Sequence, residues 1–160
     1  MNKAYLLTGG NLGDREETLA SAILLISQYC GKIAAQSSLY ETAAWGNTDQ
    51  PFFLNQALEV ITSLTPGQLL RQVLKIETQM GRVRKEKYGP RIIDIDILLY
   101  DRQILNSPSL TIPHREIQNR RFVLAPLAEI AGNIIHPVLN KSIDELLAIC
   151  PDTLQVAKIN

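Results

Sequence analysis

The sequence predicts an α+β fold of the ferredoxin-like kind, a β-α-β-β-α-β sandwich in which helices pack on an antiparallel sheet. The prediction depends on strand-length apolar runs, on two helix-starting signals between them, and on their order: strand, helix, strand, strand, helix, strand. The chain has 160 residues with a hydrophobic content of 46%, which suffices for one core. We therefore expect one domain over residues 1–160.

The predicted strands are apolar or alternating runs between breaks rich in glycine, proline and polar residues. They cover residues 3–8, 33–40, 52–62 and the run that ends at Tyr100. The first run stops at Gly9-Gly10, which we interpret as a tight turn because glycine adopts backbone angles that other residues avoid.

The two predicted helices each begin with a capping signal. Residues 14–17 and 65–68 place Asp or Thr three positions before Glu or Gln, so that a side-chain oxygen can accept a free backbone N–H of the first turn. Gly31 and Gly81 end the helices. We expect both helices on one face of the sheet.

The signals are weaker beyond Tyr100. Residues 101–106 are predicted to form a short hairpin, and residues 122–136 a short helix on the core. A Ser-x-x-Glu box opens a further helix over residues 142–149.

The charge balance argues against a nucleic-acid-binding protein. Sixteen basic and sixteen acidic residues cancel, so the surface lacks the positive excess that grips a phosphate backbone. Cys30 and Cys150 are far apart and lack a metal-like spacing, which favours reduced thiols. No apolar run approaches the length of a membrane span. We expect a cytoplasmic protein without membrane or nucleic-acid partners.

Two carboxylates stand out in the last predicted strand. Side chains alternate along a strand, so Asp94 and Asp96 would share one face. The opposite face would carry Ile93, Ile95, Ile97 and Leu99. Aspartate is depleted in strands, and a hard divalent cation such as Mg²⁺ gives a reason for two of them. A solubilising or edge-blunting role is the alternative.

A basic, glycine- and proline-containing loop precedes the two aspartates. Its cations are Arg82, Arg84, Lys85, Lys87 and Arg91. They would form either a salt-bridge network or a site in which both signs meet a metal-phosphate ligand. Exposed ion pairs stabilise a protein by only about 0–1 kcal/mol, so the pattern favours binding of a phosphate-bearing ligand.

Other motifs are less specific. The segment at residues 9–14 resembles a phosphate-binding turn but lacks the P-loop ending, so we interpret it as structural. His114 lies among arginines and could donate to a phosphate oxygen, whereas His136 is predicted to be a structural histidine. Arg120 beside Phe122 suits either a planar polar ligand or a solvated surface. The cysteines and serines show no context for a nucleophilic triad.

Several separated motifs extend over nearly the whole chain. They are G-x-N-L-G at 9–13, Ser-x-x-Tyr-x-Thr at 37–42, Asp-Gln-Pro-x-Phe-Leu-Asn at 49–55, Glu-x-x-x-Gly-Arg-x-Arg at 77–84, Gly-Pro-Arg-x-x-Asp-x-Asp-Ile at 89–97, Leu-Thr-x-Pro-His at 110–114 and Asn-Arg-x-Phe at 119–122. Together they resemble the 6-hydroxymethyl-7,8-dihydropterin pyrophosphokinase family.

The resemblance implies an ATP-dependent transfer of pyrophosphate to the hydroxymethyl group of the dihydropterin, with release of AMP, in folate biosynthesis. Asp94 and Asp96 would hold two Mg²⁺ ions, and Arg82 and Arg91 would act with them in catalysis. The implied ATP-binding residues are Glu77, Arg84, Lys85, Tyr88, Ile97, Thr111, His114 and Arg120. The implied pterin-binding residues are Thr42, Ala43, Ala44, Trp45, Phe53, Asn55 and Phe122. We expect a monomer.

The chain departs from the family pattern at a few positions. Ala43-Ala44 stands where Pro-Pro is common, and Leu74 and Ser109 replace polar residues, so we exclude the latter two from the site. Two other functions share part of the pattern. Another two-metal phosphotransfer or hydrolytic enzyme would need no pterin slot, and a ferredoxin-like binding module would need no arginine loop beside the aspartates.

Overall fold

The computed structural model describes residues 1–44, 49–82 and 89–159. The first part of the fold comprises strands β1 (Asn2–Gly10), β2 (Lys32–Gln36), β3 (Leu39–Thr42), β4 (Phe53–Thr62) and β5 (Asp94–Tyr100), with helices α1 (Arg15–Tyr29) and α2 (Pro66–Gln79). The remainder comprises β6 (Leu105–Asn106), β7 (Thr111–Ile112), a 3₁₀ turn (Ile117–Asn119), α3 (Arg121–Ala131), α4 (Ile143–Ala148) and β8 (Val156–Ile159).

The main sheet is antiparallel throughout its described strand pairs. Its order is β5-β1-β4-β3-β8, and β2 also pairs with β4. Together β2 and β3 occupy the place of the second strand of a ferredoxin-like sheet. The predicted α+β sandwich is therefore confirmed, and β5, the strand of the two aspartates, lies at one edge.

The segment predicted as one strand over residues 33–40 is divided at Ser37. The Ser37 hydroxyl oxygen accepts a hydrogen bond of 2.9 Å from the Ala57 N–H, and the Ser37 N–H donates to the Ala57 carbonyl at 2.9 Å. A serine side chain thus replaces one rung of the backbone ladder, as short polar side chains do when they compete with the backbone.

Two apolar cores cover the two faces of the sheet. The first core contains side chains of α1 and α2, such as Leu19 and Ile76, packed on Leu6 and Leu58. The second core contains α3 and α4, with Leu124 fully buried on the opposite face. Both predictions, two helices on one face and a later helix on the core, are confirmed.

The predicted orientation of Leu99 is wrong. The register of β5 against β1 slips by one residue, because Tyr5 pairs with Leu99 but Leu6 pairs with Ile97. An extra residue in one strand reverses the alternation beyond it. Leu98 and Leu99 therefore both join the second core, whereas Ile97 belongs to the first.

The predicted helix starts are confirmed by their caps. Asp14 accepts from the Glu17 N–H at 3.1 Å, and Thr65 and Ser142 each form a reciprocal capping box. The third helix ends near Gly132 rather than at residue 136, because the chain turns back there and Ile135 pairs with Ser142.

The C-terminal part of the chain differs most from the prediction. The hairpin pairs β6 with β7 and so spans residues 105–112, not 101–106, where Asp101 has a φ of 48°. The sequence also did not predict β8, which extends the sheet edge by pairing with β3. A four-residue strand has too short a pattern to be distinguished from a loop.

His136 has the structural role that its sequence context predicts. Its side chain is buried, and its Nδ1 atom accepts hydrogen bonds from the Val138 and Leu139 N–H groups at 3.2 and 3.1 Å. Burial lowers the pKa of His136. In the described part of the chain, no helix has both the length and the apolar character needed to cross a membrane.

Candidate active site

Two adjoining pockets lie around the start of β5. The first is lined by Leu7, Gly9, Thr42, Ala43, Phe53, Asn55, Arg91, Asp94, Asp96, Arg120 and Phe122. The second is lined by Leu70, Leu74, Glu77, Asp94, Ile95, Asp96, Ile97, Pro108, Ser109, Leu110, Thr111, His114, Arg115, Glu116 and Arg120. Among these described residues Asp94, Asp96 and Arg120 line both pockets, so these three side chains mark their junction.

The position of β5 explains why the pockets meet there. It is an edge strand, and its only main-sheet partner, among the described strands, is β1. Gly9 pairs with Asp94 and Leu7 with Asp96 across that ladder. Both aspartates line the same two pockets, as their spacing predicts. An interior strand would keep the two faces of the sheet apart, whereas at this edge both carboxylates line both pockets.

Two arginines bind the first aspartate. The Nη1 group of Arg82 donates to Asp94 Oδ1 at 2.6 Å, and that of Arg91 donates to Asp94 Oδ2 at 3.1 Å. Only 10% of the Arg82 side chain is exposed, so this contact is better shielded from solvent than a surface ion pair. Arg82 and Arg91 therefore both form ion pairs with Asp94.

Glu77 connects α2 with this charged cluster. Its Oε2 atom accepts from the Ile95 N–H at 2.7 Å and from Arg82 at 3.0 Å, and the residue is 3% exposed. One carboxylate oxygen thereby fixes both the backbone of β5 and the arginine that reaches Asp94. Glu77 also lies on the wall of the second pocket.

The electrostatic environment of Asp96 favours a cation. Burial is the main cause that raises its pKa, and the negative charges of Asp94 and Glu77 raise it further, against the opposing effects of Arg120 and Arg82. An added positive charge would stabilise the ionised carboxylate.

The donor chemistry of the aspartates also fits Mg²⁺. They supply the oxygen ligands that this ion prefers. Within residues 1–44, 49–82 and 89–159, no three or more His, Cys, Asp or Glu side chains form a metal site of their own. A two-carboxylate platform completed by phosphate oxygens and water suits the ion's habit of keeping several non-protein ligands.

The first pocket has aromatic walls with cations beside them. The Arg91 guanidinium carbon lies 5.6 Å from the Phe53 ring centroid, and that of Arg120 lies 5.8 Å from the Phe122 ring centroid. Both distances are within the range of cation–π attraction. Both rings line the first pocket, and aromatic walls with cations beside them suit a planar, polar ligand.

Asn55 places a polar group inside this pocket. The residue is 4% exposed, and its Nδ2 atom is buried without a hydrogen-bond partner among the described residues. A buried amide donor of this kind is costly unless a ligand satisfies it. Of the neighbouring predicted residues, Thr42 and Ala43 line the pocket, whereas Ala44 is buried behind it. Trp45 lies outside the described residues.

The second pocket brings together Ile97, Thr111 and His114 of the predicted nucleotide site. His114 Nδ1 accepts from the Glu116 N–H at 3.1 Å, so the neutral ring carries its proton on Nε2. Burial and the nearby Arg120 lower the pKa of His114, which favours this neutral form. Its Nε2–H is therefore a donor. Arg84, Lys85 and Tyr88, the other predicted nucleotide contacts, lie outside the described residues.

Some lining residues were excluded or missed by the sequence interpretation. Leu74 and Ser109, which the family pattern led us to exclude, both line the second pocket, as does Leu70. Their apolar or small side chains carry no chemical signal in the sequence. Leu7 and Gly9 of the first pocket were also missed, although Gly9 belongs to a motif that pointed to this region.

The interpretation of Gly9-Gly10 as a turn is wrong. Both glycines belong to β1. A Cβ atom on Gly9 would lie 2.3 Å from Asn55 Oδ1, and one on Gly10 would lie 2.2 Å from the Ile92 carbonyl oxygen. Close approach of other segments of the chain, rather than turn geometry, explains the two glycines: the Asn55 side chain approaches Gly9, and the Ile92 backbone approaches Gly10.

Comparison with known proteins identifies similar chains. Residues 5–132 match the family model for 7,8-dihydro-6-hydroxymethylpterin-pyrophosphokinase (HPPK). The chain is 45% identical over 136 residues to the 2-amino-4-hydroxy-6-hydroxymethyldihydropteridine pyrophosphokinase of Methylorubrum extorquens, covering 84% of this chain and 86% of that protein. The enzyme of the same name from Bacillus subtilis is 44% identical over 134 residues, which cover 83% and 80% of the two chains.

The fold is also similar to that of solved structures. A Plasmodium falciparum HPPK-DHPS crystal structure with pteroate aligns with a TM-score of 0.75 at 20% identity, over 92% of this chain and 42% of that chain. At this identity the likeness concerns the fold alone. It agrees with the antiparallel sheet and packed helices described above.

Proposed function

Because the chain belongs to the 7,8-dihydro-6-hydroxymethylpterin-pyrophosphokinase family, we propose that the junction of its two pockets is the centre at which ATP and the pterin react. The protein transfers a pyrophosphoryl group from ATP to the hydroxymethyl group of 6-hydroxymethyl-7,8-dihydropterin, in folate biosynthesis. The single observation that carries the site assignment is that Asp94, Asp96 and Arg120 line both pockets. Two substrates that exchange a group must meet at such a shared boundary.

Asp94 and Asp96 are the proposed ligands of two Mg²⁺ ions. Ions held by these two carboxylates would supply positive charge against the phosphate charge that develops during transfer. The protein's part is to present two carboxylates from a rigid strand. The raised pKa of Asp96 supports this role, because cation binding stabilises the ionised carboxylate.

Arg82 and Arg91 are the proposed phosphate-binding residues. Both already reach a proposed metal ligand, since each donates to Asp94. A guanidinium group presents several N–H donors in a plane, which suits phosphate oxygens that gain charge in the transition state. We assign Arg120 to the same task, since it borders both pockets.

The first pocket is the proposed pterin site. Phe53 and Phe122 would stack on the ring system, and the buried Nδ2 group of Asn55 would donate to an acceptor on its edge. The remaining residues of the proposed pterin site are Thr42, Ala43, Ala44 and Trp45. The second pocket is the proposed ATP site, with Glu77, Ile97, Thr111 and His114 on its walls and with Arg84, Lys85 and Tyr88 as further contacts.

An assay with purified protein tests the function. With Mg²⁺, ATP and 6-hydroxymethyl-7,8-dihydropterin, we expect AMP and pterin pyrophosphate to appear in equal amounts. AMP released without the pterin would indicate a hydrolase instead. Binding of both ligands without any AMP would indicate a binding module. Omission of Mg²⁺ should abolish turnover.

We further propose that the enzyme works in the cytoplasm as a monomer. Its two cysteines are free, which agrees with a reducing compartment. Sedimentation equilibrium would measure the mass in solution against the 17.8 kDa of one chain.

A further inference from the structure

A buried amide connects the two halves of the site. Asn11, in the connection between β1 and α1, is 3% exposed. Its Oδ1 atom accepts from the Arg91 N–H at 2.9 Å. Its Nδ2 group donates to Gln50 Oε1 at 2.8 Å and to the Pro51 carbonyl oxygen at 2.9 Å. Both ends of the amide are therefore used.

One end of this link holds Arg91 by its backbone. The Arg91 N–H donates to the Asn11 side chain, and the Arg91 carbonyl accepts from the Asn11 N–H at 3.0 Å. The Arg91 side chain is thereby aimed at Asp94, 3.1 Å away, and lies over the Phe53 ring. A shift of the Arg91 backbone would move both contacts.

The other end holds the chain that leads into β4. Gln50 and Pro51 lie directly before Phe52 and Phe53. The Phe52 carbonyl accepts a further hydrogen bond, of 3.0 Å, from Arg15 at the start of α1. The entry to the strand that carries the proposed stacking ring is thus fixed from the same connection as Arg91.

The chemistry of this position is specific to an amide. An aspartate has no donor for Gln50 and Pro51, and a serine offers one hydroxyl donor where the amide offers two. A tie between loops could serve stability alone. Here, however, the two tied segments lie 39 and 80 residues away in sequence, and both end at the proposed site.

We propose that Asn11 is a positioning residue that holds Arg91 and the Phe53 end of β4 in one fixed arrangement. The inference rests on the proposed roles of those two residues. Asn11 acts on the transferred group only through Arg91, and on the pterin only through Phe53. Loss of the amide would misplace both side chains, and small displacements of this kind cost up to about 100-fold in rate.

The test compares the single variants Asn11→Ala, Arg91→Ala and Phe53→Ala with two double variants, which combine Asn11→Ala with each of the other two. We expect Asn11→Ala to lower kcat by about tenfold to 100-fold and to raise the KM for the pterin. In the Arg91→Ala background, Asn11→Ala should change kcat by less than about threefold. In the Phe53→Ala background, Asn11→Ala should change the KM for the pterin by less than about threefold. Additive effects in both backgrounds would overturn the proposal.

Thr62→Val is the matched control for stability. Thr62 is fully buried at the far end of β4, where its hydroxyl donates to the Cys30 carbonyl at 2.6 Å. Its loss should lower the free energy of unfolding while kcat and KM stay at wild-type values. Asn11→Ala with unchanged kinetics in a folded, active enzyme would also overturn the inference.

Amide hydrogen exchange gives a readout that does not depend on activity. We expect Asn11→Ala to speed exchange at the Arg91 N–H and over residues 52–54, with no change around Thr62. Unchanged exchange at Arg91 would contradict the link itself. Failure of the wild-type protein to form AMP with the pterin would instead contradict the proposed function, while the exchange result would still decide whether Asn11 holds the two segments.

Discussion

Arg91 and Phe53 are in direct contact, with the guanidinium carbon 5.6 Å from the ring centroid. The same guanidinium donates to Asp94 at 3.1 Å. One side chain therefore touches both the proposed pterin-stacking ring and a proposed metal ligand. Chemistry at the carboxylates and recognition at the ring are connected through it.

Arg91→Lys tests this contact. Lysine keeps the charge but lacks the planar group that lies over Phe53 and reaches the Gly89 carbonyl as well as Asp94. We expect kcat to fall by about tenfold or more and the Kd for the pterin, measured by titration calorimetry, to rise about two- to tenfold. Arg102→Lys, at an exposed position, is the control that should leave both values unchanged. Unaltered pterin affinity in Arg91→Lys would show that the contact of the Arg91 guanidinium with the Phe53 ring contributes nothing to pterin binding.

Asp96→Asn tests the proposed metal platform. The substitution keeps the shape of the side chain but removes the charge that binds a hard cation, so turnover should fall by about 100-fold or more. The Kd for the pterin should stay within about threefold of wild type, because the proposed stacking of Phe53 and Phe122 on the pterin does not involve Asp96.

Asp101→Asn is the matched control at the end of the same strand. Asp101 has a φ of 48°, which asparagine tolerates, and an amide oxygen can still accept from the Lys3 N–H. This variant should turn over like wild type. Equal loss of turnover and pterin binding in Asp96→Asn would point to misfolding rather than to a lost metal ligand.

Gly9→Ala tests the packing behind the proposed pterin pocket. The added methyl group would lie 2.3 Å from Asn55 Oδ1, so the Asn55 side chain must move from its position. We expect the pterin Kd to rise about tenfold or more, while the KM for ATP changes little, because Gly9 does not line the second pocket.

Two other glycines serve as references for Gly9→Ala. Gly67→Ala, in the first turn of α2, meets nothing within 4 Å and should stabilise the protein by about 0.4–1 kcal/mol. Gly10→Ala would meet the backbone oxygen of Ile92 at 2.2 Å and should lower the melting temperature markedly. Gly9→Ala with wild-type pterin affinity would mean that Asn55 is not needed in its present position.

His136→Asn tests the pH dependence of stability. Burial lowers the pKa of His136 in the folded state below its unfolded value of about 6.5. The stability that neutral His136 contributes is therefore fully present above the unfolded pKa and is lost as the pH falls through the folded pKa. Protonation of Nδ1 would break both hydrogen bonds to the Val138 and Leu139 N–H groups.

The comparison should be made by urea unfolding between pH 7.5 and 5. Asparagine offers an oxygen acceptor that does not titrate in this range, so the stability of His136→Asn should depend less on pH than that of wild type. His114 is present in both proteins and cancels from the difference. If the free energy of unfolding changed equally with pH in the two proteins, His136 would not contribute to the pH dependence of stability.

Local patterns determined most of the elements. The caps at Asp14, Thr65 and Ser142 and the apolar runs of β1, β4 and β5 depend on neighbours within a few residues, so the chain predicts them directly. The aspartate pair at residues 94 and 96 is also local, because two positions along a strand share a face.

The predictions that failed depend on distant chain segments. The orientation of Leu99 is set by the register against β1, and β8 exists because the edge of β3 accepts it. The sequence predicts a turn at Gly9 and Gly10, but the structure has glycine there because Asn55 and Ile92 of other segments approach closely. No local pattern carries that information.

The sequence by itself determined the ferredoxin-like fold, the carboxylate pair and, through separated motifs, the family. Only the tertiary structure decided that Asp94, Asp96 and Arg120 border both pockets and that Asn11 connects Arg91 with the entry to β4. The physical reason is that side-chain chemistry and short-range periodicity are encoded along the chain. The juxtaposition of groups 39 to 80 residues apart arises only when the sheet register and the edge position of β5 are fixed by packing.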